Sequence, residues 1–171
     1  MKNIVLIGPI AAGKTTVGQA LAEARGEIFI DTDQCIEKET GQSIPIILET
    51  HGEKYFRELE KQILERSVQL KNVVISTGGG IVLNPYNREL IKLNSYSVYL
   101  QVDMQVQLAR LKNTYERPIL KGDDKSKILQ ELRHVRIPLY EQIADFTLDT
   151  STKTCEAITY ELHNITRQHI K

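Results

Sequence analysis

Short apolar runs spaced by longer mixed stretches dominate this chain. Ile4-Val5-Leu6-Ile7, Ile28-Phe29-Ile30, Val73-Val74-Ile75, Tyr96 to Val102 and Phe146-Thr147-Leu148 are too short for helices and read as buried strands. Between them the pattern predicts helices over about Lys14–Arg25 and Gln34–Leu70, the latter interrupted near Pro45 and Gly52. Further helices are predicted over about Asn84–Asn94 and Asp103–Lys112, with a final one from about Lys153. Strands alternating with helices imply crossover connections, hence a parallel sheet covered on both faces. In such a sheet ligands bind beyond the carboxyl ends of the strands. The stretch Tyr115 to Lys127 departs from the pattern. It is polar, and Pro118 disfavours helix just before it. It reads as a mobile flap, or as a plain solvated loop.

No repeat, low-complexity tract or linker interrupts the 171 residues, so the chain is expected to form a single domain over 1–171. Lysine and arginine total 22 and so do aspartate and glutamate, which removes the broad basic footprint of a nucleic-acid binder. The apolar run at Ile4–Ile7 is too short for a signal sequence or a membrane span, so a cytoplasmic location is expected. Cys35 and Cys155 are widely separated, which fits a reducing compartment better than a disulfide framework. The histidines at 51, 134, 163 and 169 show no metal-ligand spacing.

Gly8-Pro9-Ile10-Ala11-Ala12-Gly13-Lys14-Thr15 matches the phosphate-loop pattern G-x-x-x-x-G-K-[ST] and sits between a predicted strand and a predicted helix. Backbone N–H groups of such a loop, with the positive end of the helix, cradle phosphate oxygens. Lys14 would reach the β- and γ-phosphates and the Thr15 hydroxyl would ligate Mg²⁺, with ATP as co-substrate. The loop as a whole, Gly8, Ala11, Ala12, Gly13, Lys14, Thr15 and Thr16, is the expected nucleotide cradle. Which phosphate-loop protein this is depends on the rest. Val73-Val74-Ile75 ends in Ser76-Thr77 rather than an acid, and the nearest acids after an apolar strand are Asp31 and Asp33. Their Asp-x-Asp spacing can send one carboxylate towards a metal and the other towards a second substrate. A guanine-recognition motif is absent and the chain is short for a motor, which favours a small-molecule kinase.

Six segments, in this order, carry a resemblance to the shikimate kinase family: Gly8–Thr15, Phe29-Ile30-Asp31-Thr32-Asp33, Phe56-Arg57-Glu58-Leu59-Glu60, Thr77-Gly78-Gly79-Gly80, Arg117-Pro118-Ile119-Leu120 and Arg136-Ile137-Pro138-Leu139-Tyr140. The resemblance implies a three-layer α/β/α phosphate-loop fold with a central five-stranded parallel sheet. A substrate-binding helical region would span about 33–60 and a lid about 112–124. It implies transfer of the ATP γ-phosphoryl group to the 3-hydroxyl of shikimate by a monomer. In that reading Asp33 takes the hydroxyl proton, Asp31 with Thr15 holds magnesium, and Arg57 and Arg136 grip the carboxylate. Glu60, three residues on from Arg57, orients it. Gly79 and Gly80 let backbone N–H groups approach the acceptor. Arg117 closes over the transferring phosphate, and Arg110 stacks on adenine, with Lys153 nearby.

Taken singly, several of these residues have plainer readings. Arg57 and Glu60 could be a surface ion pair, the glycines a turn, Arg110 a solvated helix residue, and Arg136 before Pro138 a helix start. Cys35 reads as a small buried residue rather than a reactive thiol. Two departures stand out. Ala11 replaces the usual glycine, costing about 1 kcal/mol if φ is positive there. Thr150-Ser151-Thr152-Lys153 lacks the arginine and proline of many relatives near the adenine. The rival functions are a related kinase for another hydroxy acid such as gluconate, and a non-catalytic nucleotide-binding module.

Overall fold

Every residue of β1 (Asn3–Ile7) is buried, and its side chains alternate between two cores. Ile4 and Leu6 pack with Leu21, Val74, Val98 and Leu162, whereas Val5 and Ile7 pack with Leu64, Ile75, Ile91, Tyr99 and Tyr140. A strand apolar on both faces belongs in the middle of a parallel sheet, and that is where β1 lies in this computed structural model, which describes residues 2–112 and 124–170. The sheet has the order β2-β3-β1-β4-β5, with β2 (Ile28–Asp31), β3 (Val73–Ser76), β4 (Ser95–Gln101) and β5 (Phe146–Asp149). All four pairings are parallel. Helices α1 (Lys14–Arg25) and α7 (Cys155–His169) supply side chains to one core. The other core takes its helical side chains from α3 (Ile44–Val68), α4 (Pro85–Asn94) and α6 (Lys125–Ile143). The chain after β1 turns to one side of the sheet and later returns to the other, which opens a crevice at the carboxyl edge.

The expected five-stranded, three-layer architecture is present. The interruption expected in the long helical region resolves into α2 (Thr32–Thr40), a break at Gly41, and α3 with Pro45 in its first turn. A kink at Gly52 (φ 81°) then divides α3. Helix α5 (Met104–Lys112) packs close to the phosphate loop, where Ile10 and Ala11 meet Met104, Leu108, Leu111 and Leu129.

One expectation is corrected. Arg136 does not start a helix, because both it and Pro138 lie inside α6. Proline there forfeits an intrahelical hydrogen bond, at a cost of about 3 kcal/mol. The helix continues because Tyr140 and Ile143, one turn on, are buried in the second core. Lys125–Lys127, expected in the flap, are the first turn of α6. Residues 115–123 of that segment, Arg117 among them, lie outside the described residues, and Asp124 precedes the first turn of α6.

Candidate active site

The phosphate loop leaves β1 at Gly8, where φ is 147° and a Cβ would come within 2.5 Å of the Leu100 carbonyl oxygen. This glycine is therefore required by the close passage of β4. Gly13, with φ 91°, caps α1 in the left-handed region. Ala11 is left-handed too, at φ 63°, so the strain foreseen for a non-glycine residue is present. Lys14 is buried, and its Nζ donates to the Gly8 and Pro9 carbonyls, each at 2.8 Å, which clasps the loop from inside. Thr16, two positions further along α1, is exposed.

Asp31 ends β2 and does two things at once. Its Oδ1 accepts the backbone N–H of Asp33 at 3.0 Å and of Gln34 at 3.2 Å, capping α2. Its Oδ2 accepts the Thr15 hydroxyl at 2.7 Å, across two elements. A hydroxyl and a carboxylate oxygen beside a phosphate loop form a hard donor set of the kind that suits Mg²⁺, which binds through one or two carboxylates, substrate phosphates and water. Capping by Asp31 also determines where Asp33 stands, in the first turn of α2 and turned towards the glycine segment after β3.

That segment explains its glycines by space. A Cβ on Gly78 would stand 2.8 Å from Asp33 Oδ1 and 2.9 Å from Glu60 Oε1. One on Gly80 would stand 2.4 Å from Arg57 Nη1, and one on Gly79 would stand 3.5 Å from Arg136 Nη1. These distances show a need for space that is separate from any backbone approach of Gly79 and Gly80 to the acceptor. Gly80 keeps room for the Arg57 guanidinium, and Gly78 keeps room for two carboxylates. Gly78 was not among the expected site residues, although its place in the triple glycine was the available signal.

Arg57 is not half of an ordinary surface pair. Its Nη1 donates to Glu60 Oε2 at 2.9 Å, and Glu60 is 1% exposed, with Oε1 buried and lacking a hydrogen-bond partner among the described residues. Burial pushes the Glu60 carboxyl up from 4.5 to about 7, against the opposing pull of Arg57, with Asp33 adding to the rise and Arg136 to the pull. The unfolded chain ionises Glu60 first, so the stability tied to its protonated form is complete below pH 4.5 and is lost as pH rises through about 7. Glu60→Gln should remove a stability loss on the order of 3 kcal/mol across that window. Thermal melts of both proteins from pH 4 to 8 check this, the variant showing the flatter profile.

Arg136 projects from α6 beside Gly79, and Tyr140, one turn further, donates its hydroxyl to the Gly79 carbonyl. Tyr140 is fully buried, stacks on Tyr99 with ring centroids 5.2 Å apart, and burial raises its phenol well above the usual range. It is an anchor that sequence reasoning missed, since nothing in the residues around it announces a partner 61 positions away.

Of the residues expected near the nucleotide, Arg110 and Lys153 lie among the described ones and their contacts are visible. Arg110 donates to the Ala11 carbonyl at 3.0 Å and the Thr150 carbonyl at 2.9 Å, so it braces the loop against the end of β5. Lys153 pairs with Glu161 of α7 on the rim. Cys35 is half-buried, and burial raises its thiol, which suits packing rather than reactivity. Arg117 lies outside the described residues. The structure brings together the phosphate loop, Asp31, Asp33, Arg57, Gly79, Gly80 and Arg136 along one edge of the sheet.

This fold and site define a phosphate-loop kinase for a small acceptor. The family profile described as shikimate kinase matches residues 10–166. A shikimate kinase of Caldanaerobacter subterraneus subsp. tengcongensis is 44% identical over 171 residues, covering 100% of this chain and 98% of that protein. One from Xanthomonas euvesicatoria pv. vesicatoria is 46% identical over 148 residues, covering 86% and 82% respectively. Among solved structures, a shikimate kinase from Acinetobacter baumannii in complex with shikimate superposes with a TM-score of 0.94 at 37% identity, covering 100% of this chain and 96% of that one. The chain belongs to the shikimate kinase family.

Proposed function

We propose that this shikimate kinase transfers the γ-phosphoryl group of ATP to the 3-hydroxyl of shikimate through the residues just described. The observation that carries the assignment of roles is the convergence of Asp33, Glu60-bound Arg57 and Arg136 on the three glycines beside the phosphate loop. Arg57 and Arg136 present guanidinium groups to a planar carboxylate, which they suit better than lysines would. Asp33 accepts the proton of the 3-hydroxyl as its oxygen bonds to the γ-phosphorus. The bond from that phosphorus to the bridging oxygen breaks, and its electron pair leaves on ADP. Lys14 and the loop N–H groups counter the charge on the phosphates. Thr15 and Asp31 would hold Mg²⁺, which when bound supplies further charge neutralisation on the β- and γ-phosphates. Arg117, by its place in the family pattern, adds a cation from the lid.

Gluconate as acceptor is the disfavoured reading, since it would need a different set of anion-gripping residues. Loss of turnover is disfavoured as well, because Lys14, Thr15, Asp31 and Asp33 are all present. The equal counts of acidic and basic residues support a protein that binds no nucleic acid. Among the described residues no helix is long and apolar enough to cross a membrane. We take the working form to be a cytoplasmic monomer. A coupled ADP-release assay over a panel of hydroxy acids tests the function. Shikimate should be turned over far faster than gluconate, and the reverse order would overturn the reading. Gly80→Ala, whose methyl would displace Arg57 from its place, should raise the shikimate KM about tenfold with the ATP KM little changed. Initial rates with each substrate varied in turn check it.

A further inference from the structure

Two residues that the reaction does not use hold the phosphate loop from outside. Gln107 on α5 is fully buried, and its Nε2 donates to the Ile10 carbonyl at 2.8 Å. Arg133 on α6 fixes the other end of the same amide. Its Nη1 donates to Gln107 Oε1 and to the Val102 carbonyl, both at 2.9 Å. One helical turn along α5, Arg110 donates to the next carbonyl of the loop, that of Ala11, at 3.0 Å. The two peptide units on either side of Ala11 are therefore both pinned by α5. Ala11 is the loop residue at φ 63°, a conformation that a non-glycine residue keeps only where its surroundings enforce it. Because a trans peptide is planar, its C=O and N–H point in opposite directions. Holding the Ile10 carbonyl towards α5 turns the Ala11 N–H away from α5.

We propose that Gln107, oriented by Arg133, is a positioning residue for the nucleotide: it holds the Ile10–Ala11 peptide so that the left-handed Ala11 presents its N–H to a phosphate oxygen of ATP. The inference rests on the loop as the ATP site. It also accounts for a chain that tolerates alanine where glycine would adopt the conformation freely. In this chain the helix beside the loop imposes what glycine would otherwise permit. The link continues into α6, which carries Arg136 three residues after Arg133, so the same side chains tie the donor site to the helix that grips the acceptor.

The test is ATP affinity, measured by titration calorimetry in two backgrounds. Gln107→Leu should weaken ATP binding about tenfold, leaving the shikimate KM within twofold. Gln107→Met, which keeps the length of the side chain and its neutrality while removing the donor to Ile10, should weaken ATP binding comparably and serves if the leucine variant folds poorly. In an Ala11→Gly background, where positive φ needs no enforcement, the same substitutions should cost about threefold or less. Equal losses in both backgrounds would overturn the inference, as would a loss confined to shikimate or to thermal stability. Lys14→Ala is the control. ATP binding unchanged in that variant would overturn the nucleotide assignment itself, and this inference with it.

Discussion

Asp33→Asn should lower kcat by a factor of about 10² to 10⁴ while ATP affinity stays within a few-fold of the parent. Asparagine keeps the size and the backbone of Asp33, whose N–H donates to Asp31 Oδ1 at 3.0 Å, so the first turn of α2 and the Asp31–Thr15 contact should survive. What is lost is the group proposed to take the acceptor proton. An amide cannot accept that proton at neutral pH, so the loss falls on turnover rather than on nucleotide binding. The Asp33 carboxylate also stands within 2.8 Å of where a Cβ on Gly78 would be, next to the acceptor grip rather than the nucleotide. Single-turnover rates with saturating ATP and shikimate, paired with ATP titration calorimetry, measure the two quantities separately. A large drop in ATP affinity with kcat preserved would remove Asp33 from the chemistry and place it with the magnesium donors.

Arg57→Ala should raise the shikimate KM by about a hundredfold or more, with little change for ATP. Truncating one partner of a desolvated, hydrogen-bonded charge pair costs about 2–5 kcal/mol, much of it the penalty on the group left behind. Here the abandoned group is Glu60, 1% exposed and already pushed to about 7 by burial. Without Arg57 its carboxyl should rise further and stay protonated at neutral pH. A destabilised protein could mimic a binding defect, so the double variant Arg57→Ala, Glu60→Gln separates the two. It should regain thermal stability without regaining shikimate affinity. Recovery of affinity in the double variant would mean that Arg57 acts only by neutralising Glu60.

Local pattern carried the architecture a long way. The five strands and the helices that follow them were legible because parallel strands buried on both faces are unbroken apolar runs, and because the glycines of the phosphate loop, Pro45 and Gly52 mark where helices begin or break. Asp31, Asp33, Arg57 and Arg136 could be named as candidates because the order of several short motifs narrows the family. What stayed hidden depends on distant contacts. Helix α6 runs through Pro138 because buried Tyr140 and Ile143 outweigh a local cost that pattern reading takes as a boundary. Gly78 serves two carboxylates from different helices, Asp33 on α2 and Glu60 on α3. Arg110, named for adenine stacking, also donates in its own plane to the carbonyls of Ala11 and Thr150, and those two contacts belong to folded geometry alone.

The central claim is that this edge of the sheet joins the γ-phosphoryl group of ATP to one particular hydroxyl of shikimate. Phosphorus and proton NMR of the product, formed with stoichiometric ATP and shikimate, tests it most directly. The account predicts a single phosphomonoester on the 3-hydroxyl, equal in amount to the ADP released. ADP released without phosphorylated shikimate, or a phosphate on another hydroxyl, would contradict it.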